Sequence, residues 1–152
     1  MKPLDVFTST AFRDGRAGCG IVLRASGQTV RVIRRAVPAG SRAEGAYRAL
    51  LHGVWRARGT GARHIRVFSD TPEVVDQVTG RSEVPVELVG LYLQTRALLN
   101  AYRGSAVAAI PRGQNAEAAI AALEALDQPT GPAQDIDDVE DLPLFSPSLT
   151  DA

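Results

Sequence analysis

The chain has 152 residues, room for one domain with a buried core and a short appendage, and 45% of them are hydrophobic, an ordinary globular fraction. Its single cysteine, Cys19, excludes an internal disulfide and suits a reducing compartment, and no apolar run has the length of a signal peptide core or a membrane span, so a cytoplasmic protein is expected. The formal net charge of zero hides a partition: residues 1–126 hold all seventeen Lys and Arg against ten acids, a net +7, while residues 127–152 hold seven acids and no Lys or Arg. A basic body with an acidic tail suits a protein that handles nucleic acid, although an Arg-rich surface also serves solubility alone.

In chain order, residues 4–10 (LDVFTST) alternate loosely and predict a strand. The glycine-rich AFRDGRAGCG that follows predicts a loop, without the strand–loop–helix context of a phosphate cradle. Residues 20–24 and 29–37 predict two more strands around an Ala25-Ser26-Gly27-Gln28 turn, completing an antiparallel meander. Ser41 and Glu44 form a capping box opening a helix to about Arg58, with Tyr47, Leu50, Leu51 and Val54 as its buried stripe. Residues 65–69 predict a fourth strand, ending at Asp70; Thr71 is the expected N-cap and Pro72 the first residue of a short helix. A long helix over residues 85–102, a fifth strand over 107–110 and an Ala-rich helix over 115–126, with Ile120 and Leu123 inward, complete a β-β-β-α-β-α-α-β-α order.

Asp70 is placed like an active-site carboxylate, because chemistry in α/β proteins gathers at the C-terminal ends of strands. His52 and His64 share no triad partner or metal-ligand spacing, and Cys19 reads as a small core residue, which sets serine, histidine and cysteine catalysis aside. Trp55, Tyr47, Tyr92 and Tyr102 all fall on predicted helices, which favours packing over base stacking.

Four stretches in this order resemble the signatures of the ribonuclease H family, particularly its compact bacterial-type members, over residues 4–126. FTSTA stands where the family has a strand ending in Asp-Gly. EGAYRALLHGVWRA resembles its Glu-Tyr-x-Ala-Leu helix, VFSDTPEVVDQVTG its strand-Asp-Ser-x-x-Val-Val signature, and IPRGQNAEAA its Pro-Arg-x-x-Asn-x-x-Ala-Asp signature. The resemblance implies an α/β ribonuclease H-like fold with a central mixed five-stranded sheet, three antiparallel strands then two parallel, flanked by helices. It also implies four carboxylates holding two divalent cations at a phosphodiester. Carried over residue by residue, those four positions are Ser9, Ala46, Asp70 and Ala119, so Asp70 alone keeps its acid. The expectation is a catalytically inactive member with no cofactor. Magnesium or manganese would enter only if a non-standard nuclease site exists, or at a weak residual site on Asp70. Glu44 and Glu117 lie two residues before Ala46 and Ala119, on the wrong side of a helix to substitute. Asp14, in the first loop, is one mobile acid against three missing fixed ones. Asp70 itself is expected to accept backbone N–H bonds or to pair with Arg112.

Binding of duplex or RNA–DNA hybrid would survive loss of the acids, since phosphate contacts come from Arg side chains and backbone N–H groups. Arg48, Arg56, Arg58, Arg81 and Arg112 are the candidates. The tail, residues 127–152, has a composition that points to a flexible segment, interrupted by DLPLF. Leu142, Pro143, Leu144 and Phe145 resemble the peptide with which bacterial replication and repair proteins dock on the sliding DNA clamp, except that Val139 stands where that motif has Gln. The other readings of the tail are an arm that folds back on an apolar patch of the domain and one that competes with nucleic acid for the basic surface.

Overall fold

A computed structural model of the chain describes residues 2–128. Strands β1 (Leu4–Arg13), β2 (Arg16–Ala25) and β3 (Gln28–Pro38) form the antiparallel meander, and β4 (His64–Ser69) and β5 (Gly104–Ala109) extend it in parallel, in the order β3-β2-β1-β4-β5. This is the mixed five-stranded sheet expected from the sequence. The first local expectation to be overturned is the loop after β1. Residues 11–20 are not a loop: β1 and β2 run straight through them and meet at a two-residue turn, Asp14-Gly15. Both turn residues have positive φ, 52° and 76°, as do Ser26 and Gly27 at the next hairpin, 54° and 79°. That geometry matches the twist of paired strands, which is why Asp-Gly makes a tight hairpin here.

The other glycines of that stretch serve packing instead. Gly18 and Gly20 lie beneath α4 (Ala116–Asp127), where a Cβ would strike the backbone carbonyls of Ala122 and Ala118. Without side chains there, an alanine face of α4 (Ala118, Ala121, Ala122, Ala125) settles directly on the sheet. This reverses the expected orientation of the helix: Ile120 and Leu123 are 57% and 51% exposed, because the close approach leaves room only for small residues underneath.

Helix α1 (Arg42–Arg58) covers the opposite face, since Ala17 and Ile21, which alternate with Gly18 and Gly20 along β2, touch its Gly45 and Gly53. Ser41 caps it as expected, accepting from the Glu44 N–H at 3.1 Å, while the Glu44 carboxylate reaches back one residue further, to the Gly40 N–H at 3.0 Å. Its expected stripe is buried, and so are Ala46, Ala49, His52 and Ala57, because α2 (Pro72–Val78) and α3 (Val89–Asn100) pack against its outer side. The long helix expected from Pro85 begins later, after a 3-10 turn over Val86–Leu88. Another 3-10 turn, Arg112–Gln114, precedes α4. Among the described residues no helix is long and apolar enough to cross a membrane.

The core holds a buried arginine against a neutral histidine. Arg35 of β3 lies 3.0 Å from His52 Nδ1, and His52 is 1% exposed. A guanidinium only donates, so Nδ1 must accept and the imidazole must stay neutral. Burial, reinforced by Arg35, pushes its pKa down to about 3.

Two outcomes are predicted. In the unfolded chain His52 returns to its ordinary pKa near 6.5 and binds a proton that the folded state refuses; stability is therefore fully present above pH 6.5 and lost as pH falls toward 3. Between pH 6.5 and 5, denaturant titrations should show about 1–2 kcal/mol of loss that disappears in His52→Gln. Gly20→Ala should cost about 1–3 kcal/mol or more, because backbone must move, whereas Gly90→Ala, with open space around it, should be neutral or slightly stabilising; thermal melts compare the two.

Candidate functional site

Asp70 follows the last residue of β4, and its side chain is fully buried. Its Oδ2 accepts from Ser9 Oγ of β1 at 2.6 Å and from Asn115 Nδ2, just before α4, at 3.1 Å. The same Asn115 Nδ2 donates to the Thr8 carbonyl at 2.8 Å, and Arg112 Nε stands 3.8 Å from Asp70 Oδ2. Two acceptor atoms, Asp70 Oδ1 and Asn115 Oδ1, are buried with no hydrogen-bond partner among the described residues. Thr71 does not cap α2 with its side chain; its N–H instead donates to Ser69 Oγ at 3.1 Å, which fixes the turn out of the strand.

Of the four positions singled out in the sequence, Ser9 and Asp70 are in direct contact. Ala46 is buried on α1 and Ala119 on α4, one turn beyond Asn115. Neighbouring acids are engaged elsewhere: Glu44 at the α1 cap, 3.7 Å from Arg48, and Glu117 between Arg24 at 2.8 Å and Thr29 at 2.9 Å. The Arg24 hydrogen bond holds the Glu117 carboxyl below its usual range. Asp14 is a turn residue. Among the described residues no group of three or more His, Cys, Asp or Glu could hold a metal ion. A divalent pair needs several negative oxygens close together; one carboxylate that already accepts two hydrogen bonds does not fit that requirement.

Beyond the neutral groups that hold Asp70, two arginines stand close by. Arg42, the first residue of α1, and Arg112 both donate to the Thr10 carbonyl, each at 3.1 Å, so two guanidiniums share one backbone oxygen next to the Ser9–Asp70 contact. Sequence reasoning missed Arg42. Its signal was electrostatic: a cation in the first turn of a helix opposes the macrodipole and calls for another explanation. The other arginines are not gathered here. Arg48 pairs with Glu44, Arg81 stands 3.9 Å from Asp76, and Arg58 lies over the Trp55 ring. Arg56 and Arg58 sit at the far end of α1, near the residues that lead into β4, while Arg112 sits at the end where β4 finishes. Arg56 and Arg58 therefore lie at the opposite end of the sheet from Arg112. Leu142, Pro143, Leu144 and Phe145 lie outside the described residues.

The sequence profile of the reverse-transcriptase-like family matches residues 5–125. No match is found among curated proteins. Among solved structures, ribonuclease H1 from the halophilic archaeon Halobacterium salinarum superposes with a TM-score of 0.78 at 25% identity, covering 83% of this chain and 98% of that one. The N-terminal ribonuclease H domain of a Mycobacterium tuberculosis protein, solved as a fusion with maltose-binding protein, gives 0.76 at 28%, covering 82% and 94%. A ribonuclease H1 isolated from compost by a metagenomic approach, solved in complex with RNA/DNA hybrid, gives 0.76 at 20%, covering 82% and 96%, a likeness of fold. With the profile matched over most of its length and the ribonuclease H fold around Asp70, the chain belongs to the reverse-transcriptase-like, ribonuclease H-like family.

Proposed function

We propose that this protein binds nucleic acid, an RNA–DNA hybrid or duplex, at the Asp70 cleft without cleaving it. The observation that carries this reading is the charge of the cleft. Where the family's chemistry needs four carboxylates to attract metal ions, this chain presents one carboxylate, held by Ser9 and Asn115, together with the guanidiniums of Arg42 and Arg112. Such a site repels a divalent cation and attracts a phosphate oxygen. Arginine is the suitable residue for that contact, because its planar fork of donors matches phosphate geometry. Phosphate contacts give affinity without chemistry, so the loss of metal ligands and the retention of a nucleic-acid surface are compatible. The likeness to a ribonuclease H1 solved on a hybrid supports the choice of ligand.

Binding should be sensitive to salt, with the logarithm of affinity falling linearly against the logarithm of salt concentration. The double variant Arg42→Ala/Arg112→Ala should reduce that slope by about two, one for each phosphate contact removed. Fluorescence anisotropy on a labelled hybrid measures both. Incubation of the same hybrid with magnesium or manganese should leave it intact. Metal-dependent cleavage that Asp70→Asn abolishes would overturn the reading and establish a nuclease with a non-standard site.

A further inference from the structure

A cavity of about 950 Å³ lies away from Asp70, at the end of the sheet where β1 begins and β2 ends. Its volume is at the upper end of the range of roughly 300–1,000 Å³ typical of ligand sites. Leu4, Leu23 and Trp55 give it an apolar floor, and Lys2, Arg31, Arg56 and Arg58 ring it. Among the described residues that line it there are thus four cations and no carboxylate. Arg58 lies 5.4 Å above the centre of the Trp55 ring, which joins the apolar and cationic parts of the wall. An occupant of matching chemistry is a peptide with several acids beside a short run of apolar side chains.

The chain carries one such peptide. Asp135, Asp137, Asp138, Glu140 and Asp141 are five acids within seven residues, followed at once by Leu142-Pro143-Leu144-Phe145. We propose that the end of this peptide, residues 140–145, docks into this groove of its own chain, Glu140 and Asp141 against the ring of Lys2, Arg31, Arg56 and Arg58 and the apolar side chains on the floor, while the preceding acids lie along the approach.

The length of the chain permits it. The described residues end at Gln128, just after α4, whose last residue Asp127 pairs with Arg13 at the finish of β1. The groove lies at the other end of that strand, nine residues back, or about 30 Å at ~3.3 Å per residue. The chain takes twelve steps from Gln128 to Glu140 and can span about 40 Å at ~3.3 Å per residue when extended. That leaves slack to round the sheet edge, and short tethering raises the local concentration of the segment into a range where modest contacts suffice.

Trp55 is the sole tryptophan and lines the groove, so its fluorescence reports occupancy directly. In the full-length chain, replacing Leu142, Leu144 and Phe145 together by Ser should raise acrylamide quenching of Trp55 about two-fold or more. Raising the salt concentration should do the same in the unaltered chain and little in the variant. Equal quenching in both, at low and high salt, overturns the proposal. A second measurement uses a cysteine pair, Thr60→Cys at the groove and Leu144→Cys in the tail, with Cys19 buried and out of reach. Mild oxidation of a dilute sample should give a cross-linked monomer that disappears when Arg31→Glu and Arg58→Glu are added. A cross-linked dimer would assign the contact to a second copy, and no cross-link would leave the tail off the groove; either result refutes docking within one chain.

Discussion

The arrangement depends on one buried carboxylate and the two neutral groups that hold it. Asp70 receives Ser9 from β1 and Asn115 from the start of α4, and Asn115 spans on to the Thr8 carbonyl. These bonds tie β1, the end of β4 and the start of α4 together at the point where β4 finishes. A buried carboxylate is costly unless its oxygens are satisfied. Here hydroxyl and amide donors supply that satisfaction at Oδ2, which in the family's chemistry would come from metal ions. Asp70 thus belongs to the framework of the fold as well as to its cleft.

Once that role is fixed, the rest of the cleft follows from charge. A single carboxylate beside Arg42 and Arg112 leaves a positive end to the site, and the shared Thr10 carbonyl orients both guanidiniums from below. Further along α1 the cations serve other purposes: Arg48 faces Glu44, and Arg58 covers Trp55 at the groove on the opposite end. A long basic helix in a sequence can therefore divide its charges between two surfaces that never meet.

The strands and helices and the place of Asp70 were legible in the sequence through local signals such as period-two alternation and a capping box, and the mixed sheet through four signatures in order that resemble one family. The hairpin at Asp14-Gly15 was obscured because three neighbouring glycines read as a loop, and two of them, Gly18 and Gly20, exist for the approach of a helix almost a hundred residues away. The same approach turned Ile120 and Leu123 outward against the ordinary rule that large apolar residues face the core. No local pattern reveals a contact of that kind. Arg42 was hidden in another way, since its partner is a backbone oxygen of β1, which has no letter in the sequence. The Arg35–His52 pair, likewise, joins an edge strand to a helix and becomes visible only when both are packed.

The order of the strands has one more consequence. An open sheet has two edges whose unpaired backbone groups invite a strand from another molecule. In this protein the edges are β3 and β5. The longer, β3, has eleven residues and carries exposed Arg31 along it, while Arg34 is paired with Glu124, so two copies meeting edge to edge would bring the Arg31 charges together. The other, β5, is six residues of mainly small side chains, too short to template much pairing. Length is limited on one side and charge is placed on the other, a division of labour that guards an Ala-rich, sheet-based protein against assembling into fibres.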